Sequence, residues 1–549
     1  MCLHGHEMPA DAEHRHPQDP PVHERRTIPA TTDTTGSFCR RDSIRRVPEP
    51  LDHPEPELID VRDRERSRAA LERLGERTWR ESLDWLYGPA ADRPTAPDLY
   101  PQMRRAFFGE SGVPGPAPVG GRTSDDVLAE FRERLAPFAY AAQHPGSYSY
   151  FTPPPLPMSI AGETLAQWLN QGIDVWLSGM AAPFVEEEVI RWLCDLCGYG
   201  ADGWGVLTSG GVMANIMALT VARDVHLAKV LGTDEPPRGA RLEGTRVYAS
   251  DQTHFSIERA VDLLGFPDGT LRIVPSEDDY RLHAGPVSAA IAEDRAAGLT
   301  PFAISAVAGS TNTGSIDDVP ALADLAEREG LWFHVDAAYG AAARLSAREA
   351  HKLPALERAD SLTVDPHKWL FQSYDIGGLL VKRREDLLRT FHREPEYYAV
   401  WGPEERPLHW YQYSLEGTRR FRALKLWLSW KHLGSDGFAR LIERNVDLAR
   451  HLASRADELA FEVVAPELAV VCVRWAPPGL DPAKTDELQR RLQRALEVSG
   501  VGWLSTTALH GRTWLRAGVI NYLSTEADAD RLLDTLVGAS ERILEDLDR

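Results

Sequence analysis

Positive charge is in deficit in this 549-residue chain, which has 61 lysines and arginines against 82 aspartates and glutamates and a formal net charge of -21. Nucleic acids and anionic membranes repel such a chain, so neither is an expected partner. Apolar runs long enough to span a membrane are also lacking, because the uncharged stretches are broken by proline or by paired glycines. The first residues lack the apolar core of a secretion signal, and we expect a cytoplasmic protein.

Cysteine is scarce too, and its five residues do not make a disulfide framework. Cys194 and Cys197 form a CxxC pair, but no second pair follows, and the apolar residues around them recur at helical spacing. We interpret both thiols as core residues and predict no metal site. The length predicts about two to four folded units at roughly 100 to 200 residues each.

The chain divides into four predicted parts. Residues 1–55 have no apolar period and predict a disordered tail, whereas residues 56–150 predict a helical N-terminal extension that packs on the main body or on a second subunit. Strand and helix signals alternate over 151–420, which predicts a large α/β domain with a mostly parallel sheet and helices on both faces. Residues 421–549 predict a small C-terminal α+β domain. The predicted strands are 246–250, 271–274, 302–308, 331–335, 361–364, 378–381, 462–464, 469–473 and 514–519.

The strongest chemical signal is the stretch 361–369, Ser-Leu-Thr-Val-Asp-Pro-His-Lys-Trp. It places Lys368 just after a predicted strand, and ligands collect at the carboxyl ends of parallel strands. Asp336 ends another apolar strand, and Gly210 and Gly211 precede a predicted helix. Pyridoxal phosphate (PLP) requires three such features: a positioned lysine, an acid at the end of a neighbouring strand and a glycine-rich helix start.

Each of these features also has a simpler interpretation. The glycine pair is also typical of a tight turn, and Asp336 is also typical of a capping residue at a strand end. A further candidate, His254, follows the predicted strand 246–250 and is also typical of a polar residue in a turn. In the functional interpretation, the helix start offers bare amides to a phosphate. Asp336 then holds a proton on the ring nitrogen of the cofactor, and His254 stacks on the ring or transfers a proton.

Four motifs together resemble the group II PLP-dependent amino acid decarboxylases of fold type I, which include aromatic amino acid, glutamate and histidine decarboxylases. The resemblance extends from about residue 58 to the C-terminus. The motifs are Ser-Asp-Gln-Thr-His at 250–254, His-Val-Asp-Ala-Ala-Tyr at 334–339, Asp-Pro-His-Lys-Trp at 365–369 and Arg-Arg-Phe-Arg-Ala-Leu-Lys at 419–425.

The resemblance implies a role for each matching residue. Lys368 resembles the Schiff-base lysine, Asp336 the partner of the pyridinium nitrogen, His254 the residue stacked on the ring and Ala338 the residue beneath it. Further positions match residues that hold the cofactor, namely Gly210, Gly211, Thr311, His367 and Thr418. Since the residue matching Thr418 reaches the phosphate from the other subunit, the resemblance implies a homodimer with shared active sites.

The reaction is implied by a further match, Glu394-Pro-Glu-Tyr397, which resembles the start of the family's mobile catalytic loop. The tyrosine of this loop protonates the carbanion carbon after carbon dioxide leaves, and the adjacent Tyr398 is the alternative assignment. Relatives with phenylalanine at this tyrosine, or asparagine at the histidine, tend to form aldehydes. Tyr397 and His254 therefore favour plain decarboxylation over an aldehyde-forming oxidative deamination or a carbon–carbon lyase reaction.

The substrate is the least constrained inference. The resemblance places Tyr150 and Phe151 near the substrate, which favours an aromatic L-amino acid such as tyrosine, tryptophan or DOPA. Glutamate or another polar amino acid is the second expectation. One residue departs from the family pattern without an evident reason, since Asp365 stands where many relatives have asparagine.

Overall fold

The computed structural model describes residues 59–96, 100–396 and 407–547. The predicted disordered tail and Tyr397 lie outside these residues. Residues 56–549 cluster as one compact unit, without a division at the predicted boundaries near 150 and 420. The three-part organisation of this unit therefore stays a prediction.

A seven-stranded sheet forms the centre of the molecule. Its strands are β1 (Trp204–Thr208), β2 (Thr245–Ser250), β3 (Leu271–Val274), β4 (Thr300–Val307), β5 (Trp332–Asp336), β6 (Ser361–Val364) and β7 (Gly377–Val381). Their order is β1-β7-β6-β5-β4-β2-β3, and only β7 runs antiparallel to its neighbours. The mostly parallel sheet is confirmed, and β1 is a strand that the sequence did not predict.

Both faces of this sheet are covered. Every residue of β5, β6 and β7 is buried, and successive side chains of a strand point to opposite faces. The α-helices that precede or alternate with these strands in the chain are α1 (Arg64–Leu86), α2 (Tyr100–Phe108), α3 (Ser124–Glu130), α4 (Pro157–Leu169), α5 (Trp176–Gly179), α6 (Ala182–Cys197), α7 (Gly211–Val221), α8 (Ala228–Val230), α9 (Ser256–Leu263), α10 (Ala284–Ala296), α11 (Val319–Glu329) and α12 (Arg384–Phe391).

The C-terminal part contains a second, fully antiparallel sheet, as predicted for an α+β segment. Its strands are β8 (Glu462–Val464), β9 (Val470–Arg474), β10 (Ser505–Leu509) and β11 (Arg512–Gly518), in the order β10-β11-β9-β8. Helices α13 (Ala423–Glu458), α14 (Pro482–Ser499) and α15 (Glu526–Leu547) accompany it. Gly434 interrupts α13 with a positive φ of 66°.

The helical N-terminal part leaves its apolar side chains uncovered. None of the residues of α1 is buried, and Trp79 and Tyr87 remain 60% and 82% exposed. In contrast, Cys194 and Cys197 on α6 are completely buried within the hydrophobic core, as predicted. Within the described ranges, no helix is long and apolar enough to cross a membrane.

Candidate active site

A cavity of about 370 Å³ opens at the carboxyl ends of the parallel strands. The polypeptide leaves β1, β5 and β6 directly into its lining, because parallel strands bring their carboxyl ends to one edge of the sheet. Eight residues singled out from the sequence line this one cavity: Gly210, Gly211, His254, Thr311, Asp336, Ala338, His367 and Lys368.

The other candidate residues lie elsewhere. Phe151 stands beside the cavity, with its ring centroid 5.9 Å from Nζ of Lys368. Tyr150 is largely exposed and packs edge-on against Trp503. Thr418 is exposed and is not part of the cavity lining, and Tyr397 falls outside the described residues.

The glycine pair forms a tight turn between β1 and α7. Gly210 has a φ of 157°, and a Cβ on Gly211 would lie 2.8 Å from Oδ2 of Asp365. A side chain is therefore excluded at Gly211, and the start of α7 from Gly210 to Met213 lines the cavity. A helix N-terminus of this kind is an anion-binding element.

Asp336 is held by a buried hydrogen-bond network centred on Asn215 of α7. The amide Nδ2 of Asn215 donates to Oδ2 of Asp336 and to Oγ of Ser256, both at 2.8 Å. The amide Oδ1 of Asn215 accepts from Nε2 of His334 at 3.1 Å and from the hydroxyl of Thr363 at 2.5 Å. Asn215 is a site residue that the sequence analysis missed.

Both histidines near Asp336 favour the neutral form. Burial lowers the pKa of His334 to about 4, against the opposing effect of Asp336. Burial also lowers the pKa of His254, although Asp336 raises it. Nδ1 of His254 accepts the backbone N–H of Ser256 at 3.3 Å, so the proton of the neutral ring belongs on Nε2.

Lys368 lies close to a second carboxylate. Its Nζ is 3.3 Å from Oδ2 of Asp365, which also accepts the N–H of Gly211 at 3.0 Å. His367 donates from Nδ1 to the carbonyl of Ile376 at 2.5 Å, and burial lowers its pKa. Lys368 is the only lysine or arginine among the described residues that line the cavity.

A column of aromatic rings forms the wall on the Phe151 side. Phe151 stacks on Tyr339 with ring centroids 4.4 Å apart, and Tyr339 stacks on Trp369 at 4.8 Å. Tyr374, another lining residue that the sequence analysis missed, closes a different part of the cavity. Its hydroxyl lies 2.8 Å from Oγ1 of Thr152.

This donor set fits pyridoxal phosphate. The start of helix α7 suits a phosphate, the buried Asp336 suits a protonated ring nitrogen, and Lys368 is the side-chain amine in the described lining. Comparisons with known proteins identify the family to which this chain belongs. The model of the pyridoxal-dependent decarboxylase conserved domain matches residues 110–476.

The chain belongs to the pyridoxal-dependent decarboxylase family. An aromatic-L-amino-acid decarboxylase of Bacillus atrophaeus is 34% identical over 404 residues, which cover 73% of this chain and 82% of that protein. A phenylacetaldehyde synthase of Arabidopsis thaliana is 30% identical over 422 residues, covering 74% of this chain and 84% of the relative.

A solved structure agrees with this family assignment. The crystal structure of Oryza sativa TDC with PLP and tryptamine has a TM-score of 0.79 and 27% identity, and covers 86% of this chain and 98% of that chain. The decarboxylase described here is thus a PLP-dependent carboxy-lyase with a fold of type I.

Proposed function

We propose that this decarboxylase removes the α-carboxyl group of an aromatic L-amino acid and releases the corresponding amine and carbon dioxide. Bound PLP supplies an electron sink for the bond that breaks. The observation that carries the aromatic preference is the stacked column ending in Phe151, whose ring lies 5.9 Å from Nζ of Lys368. An aromatic side chain gains buried area and ring contacts against such a wall.

The proposed roles follow from the contacts of each side chain. Lys368 attaches the cofactor, and Asp336 keeps a proton on the ring nitrogen because Asn215 and the N–H of Ala338 hold its carboxylate in place. His254 contributes its ring face and the Nε2–H. Ala338 leaves room for the cofactor ring.

The remaining cofactor contacts are proposals of the same kind. Gly210 and Gly211 present the first amides of α7, and Thr311 and His367 complete the lining. Tyr397, or its neighbour Tyr398, returns a proton to the substrate carbon. Tyr150 remains a proposed substrate contact.

A second candidate substrate is glutamate or another polar amino acid, and for glutamate the relevant side chain is one buried arginine. Arg516 is 5% exposed and lies behind Phe151, with its guanidinium 4.7 Å from the ring centroid. It donates to the carbonyls of Thr311 at 2.6 Å and Ser149 at 3.0 Å. Its Nη2 is buried and has no hydrogen-bond partner within the described part of the chain, and because Arg516 does not line the cavity, a substrate carboxylate would pair with it only after a side-chain movement.

A panel of L-amino acids tests both candidates. The purified enzyme is incubated with tyrosine, tryptophan, DOPA, phenylalanine, glutamate and aspartate, and amine and carbon dioxide are quantified. Amine from an aromatic substrate supports the first candidate, and amine from glutamate alone supports the second. Lys368→Ala is expected to lose the visible cofactor absorbance together with all amine formation. If the wild-type enzyme releases amine from none of these substrates, the proposed function is wrong.

We also infer a homodimer with shared active sites. Trp79 on α1, Trp168 on α4 and Phe184 on α6 are each more than half exposed in the single chain, and large exposed apolar side chains of this kind are typical of an interface. The exposed position of Thr418 is compatible with a contact across that interface. A cytoplasmic location stays a prediction.

A further inference from the structure

Asp365 is a buried carboxylate between the two elements of the cofactor site. It directly follows β6 and is 3% exposed. Its Oδ2 accepts the N–H of Gly211 at 3.0 Å, lies 3.3 Å from Nζ of Lys368 and is 3.8 Å from Nε2 of His367. One side chain thus links the first amide of α7 to the reactive lysine.

The second oxygen of Asp365 is confined by backbone. Oδ1 has no hydrogen-bond partner among the described residues, and a Cβ on Gly377 would lie 2.6 Å from it. The carboxylate therefore cannot rotate away through that side without displacing the chain. Its charge stays at the start of α7, beside the amides that we propose for the phosphate.

A carboxylate at this position has two opposing effects. It pairs with Lys368 and satisfies a helix-terminal N–H, which stabilises the arrangement. However, a phosphate monoester carries nearly two negative charges above its second pKa near 6, and like charges that share a site repel each other. The asparagine found in many relatives offers the same oxygen acceptor to Gly211 without this repulsion.

We propose that Asp365 is a positioning residue that couples Lys368 to the start of α7, and that its charge weakens the binding of the cofactor's phosphate. This inference rests on the proposed function, because it takes α7 as the phosphate site. The ionisable groups that face Asp365 are Lys368 and His367 on its own turn and His254 after β2. Lys368 provides the nearest basic group, and it is also the group that we propose for attachment of the cofactor.

The test compares two ligands that differ only in the phosphate. Full-length protein freed of cofactor is titrated at pH 8 with PLP and with pyridoxal, and dissociation constants are read from the absorbance of the bound ligand. The ratio of the pyridoxal constant to the PLP constant isolates the phosphate contribution, because the chemistry at Lys368 is common to both ligands. In Asp365→Asn we expect this ratio to rise about tenfold, which is equivalent to one pKa unit of charge coupling.

Asp360→Asn is the matched control. Asp360 precedes the same strand β6, accepts the backbone N–H of Phe333 at 2.9 Å and lies 3.6 Å from Arg383. The substitution Asp360→Asn removes one negative charge, as Asp365→Asn does, but at the opposite end of β6. At about 3.3 Å per residue, the two positions are roughly 16 Å apart. We expect the ligand ratio of this variant to equal that of the wild type.

Inhibition of PLP uptake by inorganic phosphate is a second measurement on the same proteins. The inhibition constant of phosphate, obtained after allowing for the affinity of each variant for PLP, should fall about tenfold in Asp365→Asn and stay unchanged in Asp360→Asn. An unchanged or lower ligand ratio in Asp365→Asn, with PLP still bound, would overturn the inference alone. Wild-type protein that binds PLP without involving Lys368 would instead overturn the proposed function.

Discussion

Asn215 is the residue whose removal should disturb the site most through structure alone. The substitution Asn215→Ala deletes one buried amide that serves Asp336, His334, Ser256 and Thr363. The two hydroxyl groups can turn to other partners, which leaves Oδ2 of Asp336 and Nε2 of His334 unsatisfied. At about 1 to 3 kcal/mol for each buried unsatisfied group, the free energy of unfolding should fall by about 2 to 6 kcal/mol.

A double-mutant cycle separates the Asp336 contact from the rest of this loss. Unfolding by urea is measured on cofactor-free wild type, Asn215→Ala, Asp336→Asn and the double variant. A hydrogen bond to a charged group contributes about 1.5 to 3 kcal/mol, so the coupling energy should lie in that range. Asp336→Asn removes the buried charge. In the Asp336→Asn variant, Asn215→Ala should therefore lower the free energy of unfolding by less than it does in the wild type.

Gln489 supplies the control for this cycle. It is fully buried on α14 and makes three hydrogen bonds, to the N–H and carbonyl of Trp475 and to the carbonyl of Thr485. Gln489→Ala should destabilise the protein, but its effect should add to that of Asp336→Asn within about 0.5 kcal/mol, since the two sites share no partner. A coupling energy below about 0.5 kcal/mol between Asn215 and Asp336 would refute the proposed network.

Three further predictions concern the reaction, the pH dependence of stability and the assembly. Tyr397→Phe should shift product from amine toward aldehyde with hydrogen peroxide, measured by a peroxidase-coupled assay; unchanged amine yield would reassign the proton donor to another residue. Because burial lowers the pKa of His334 from 6.5 to about 4, the unfolded state binds its proton first as the pH falls. Stability should therefore decrease by about 3 kcal/mol between pH 6.5 and pH 4, and urea unfolding of His334→Gln should show a smaller decrease. Trp79→Ser should shift the protein toward monomer in sedimentation velocity, whereas Val119→Ser, at an exposed loop position, should not; a monomeric wild type would contradict the inferred dimer.

The fold was largely predictable, because alternating strand and helix patterns have few three-dimensional solutions. Strands β2 to β7 lie within two residues of their predicted bounds at both ends. Strand β1 was not predicted, because it contains Gly205 and is followed almost directly by the glycine pair. Strand β10 escaped for a different reason: its Ser-Thr-Thr-Ala-Leu sequence is half exposed and forms a strand through pairing with β11.

The site was predictable where residues follow strands and unpredictable where they lie within helices. Lys368 and Asp336 come after or at the end of β-patterns, so the topology of a parallel sheet brings them together. Asn215 sits in the middle of the apolar helix α7, where no local pattern distinguishes a buried asparagine from an ordinary polar residue. Tyr374 reaches the cavity from the loop between β6 and β7, and its placement depends on the packing of that loop against Thr152.

The electrostatic design of the site depends on the two histidines remaining neutral. A protonated His334 or His254 would place a positive charge next to Asp336 and compete for the carboxylate that we assign to the ring nitrogen of the cofactor. Burial prevents this by lowering both pKa values. In the same network Asn215 donates one neutral N–H to Asp336, so the carboxylate is held in place while its charge stays available. Asp365 differs in this respect, because its nearest partner is the amine of Lys368 at 3.3 Å, the group that we propose to attach the cofactor, rather than a neutral amide.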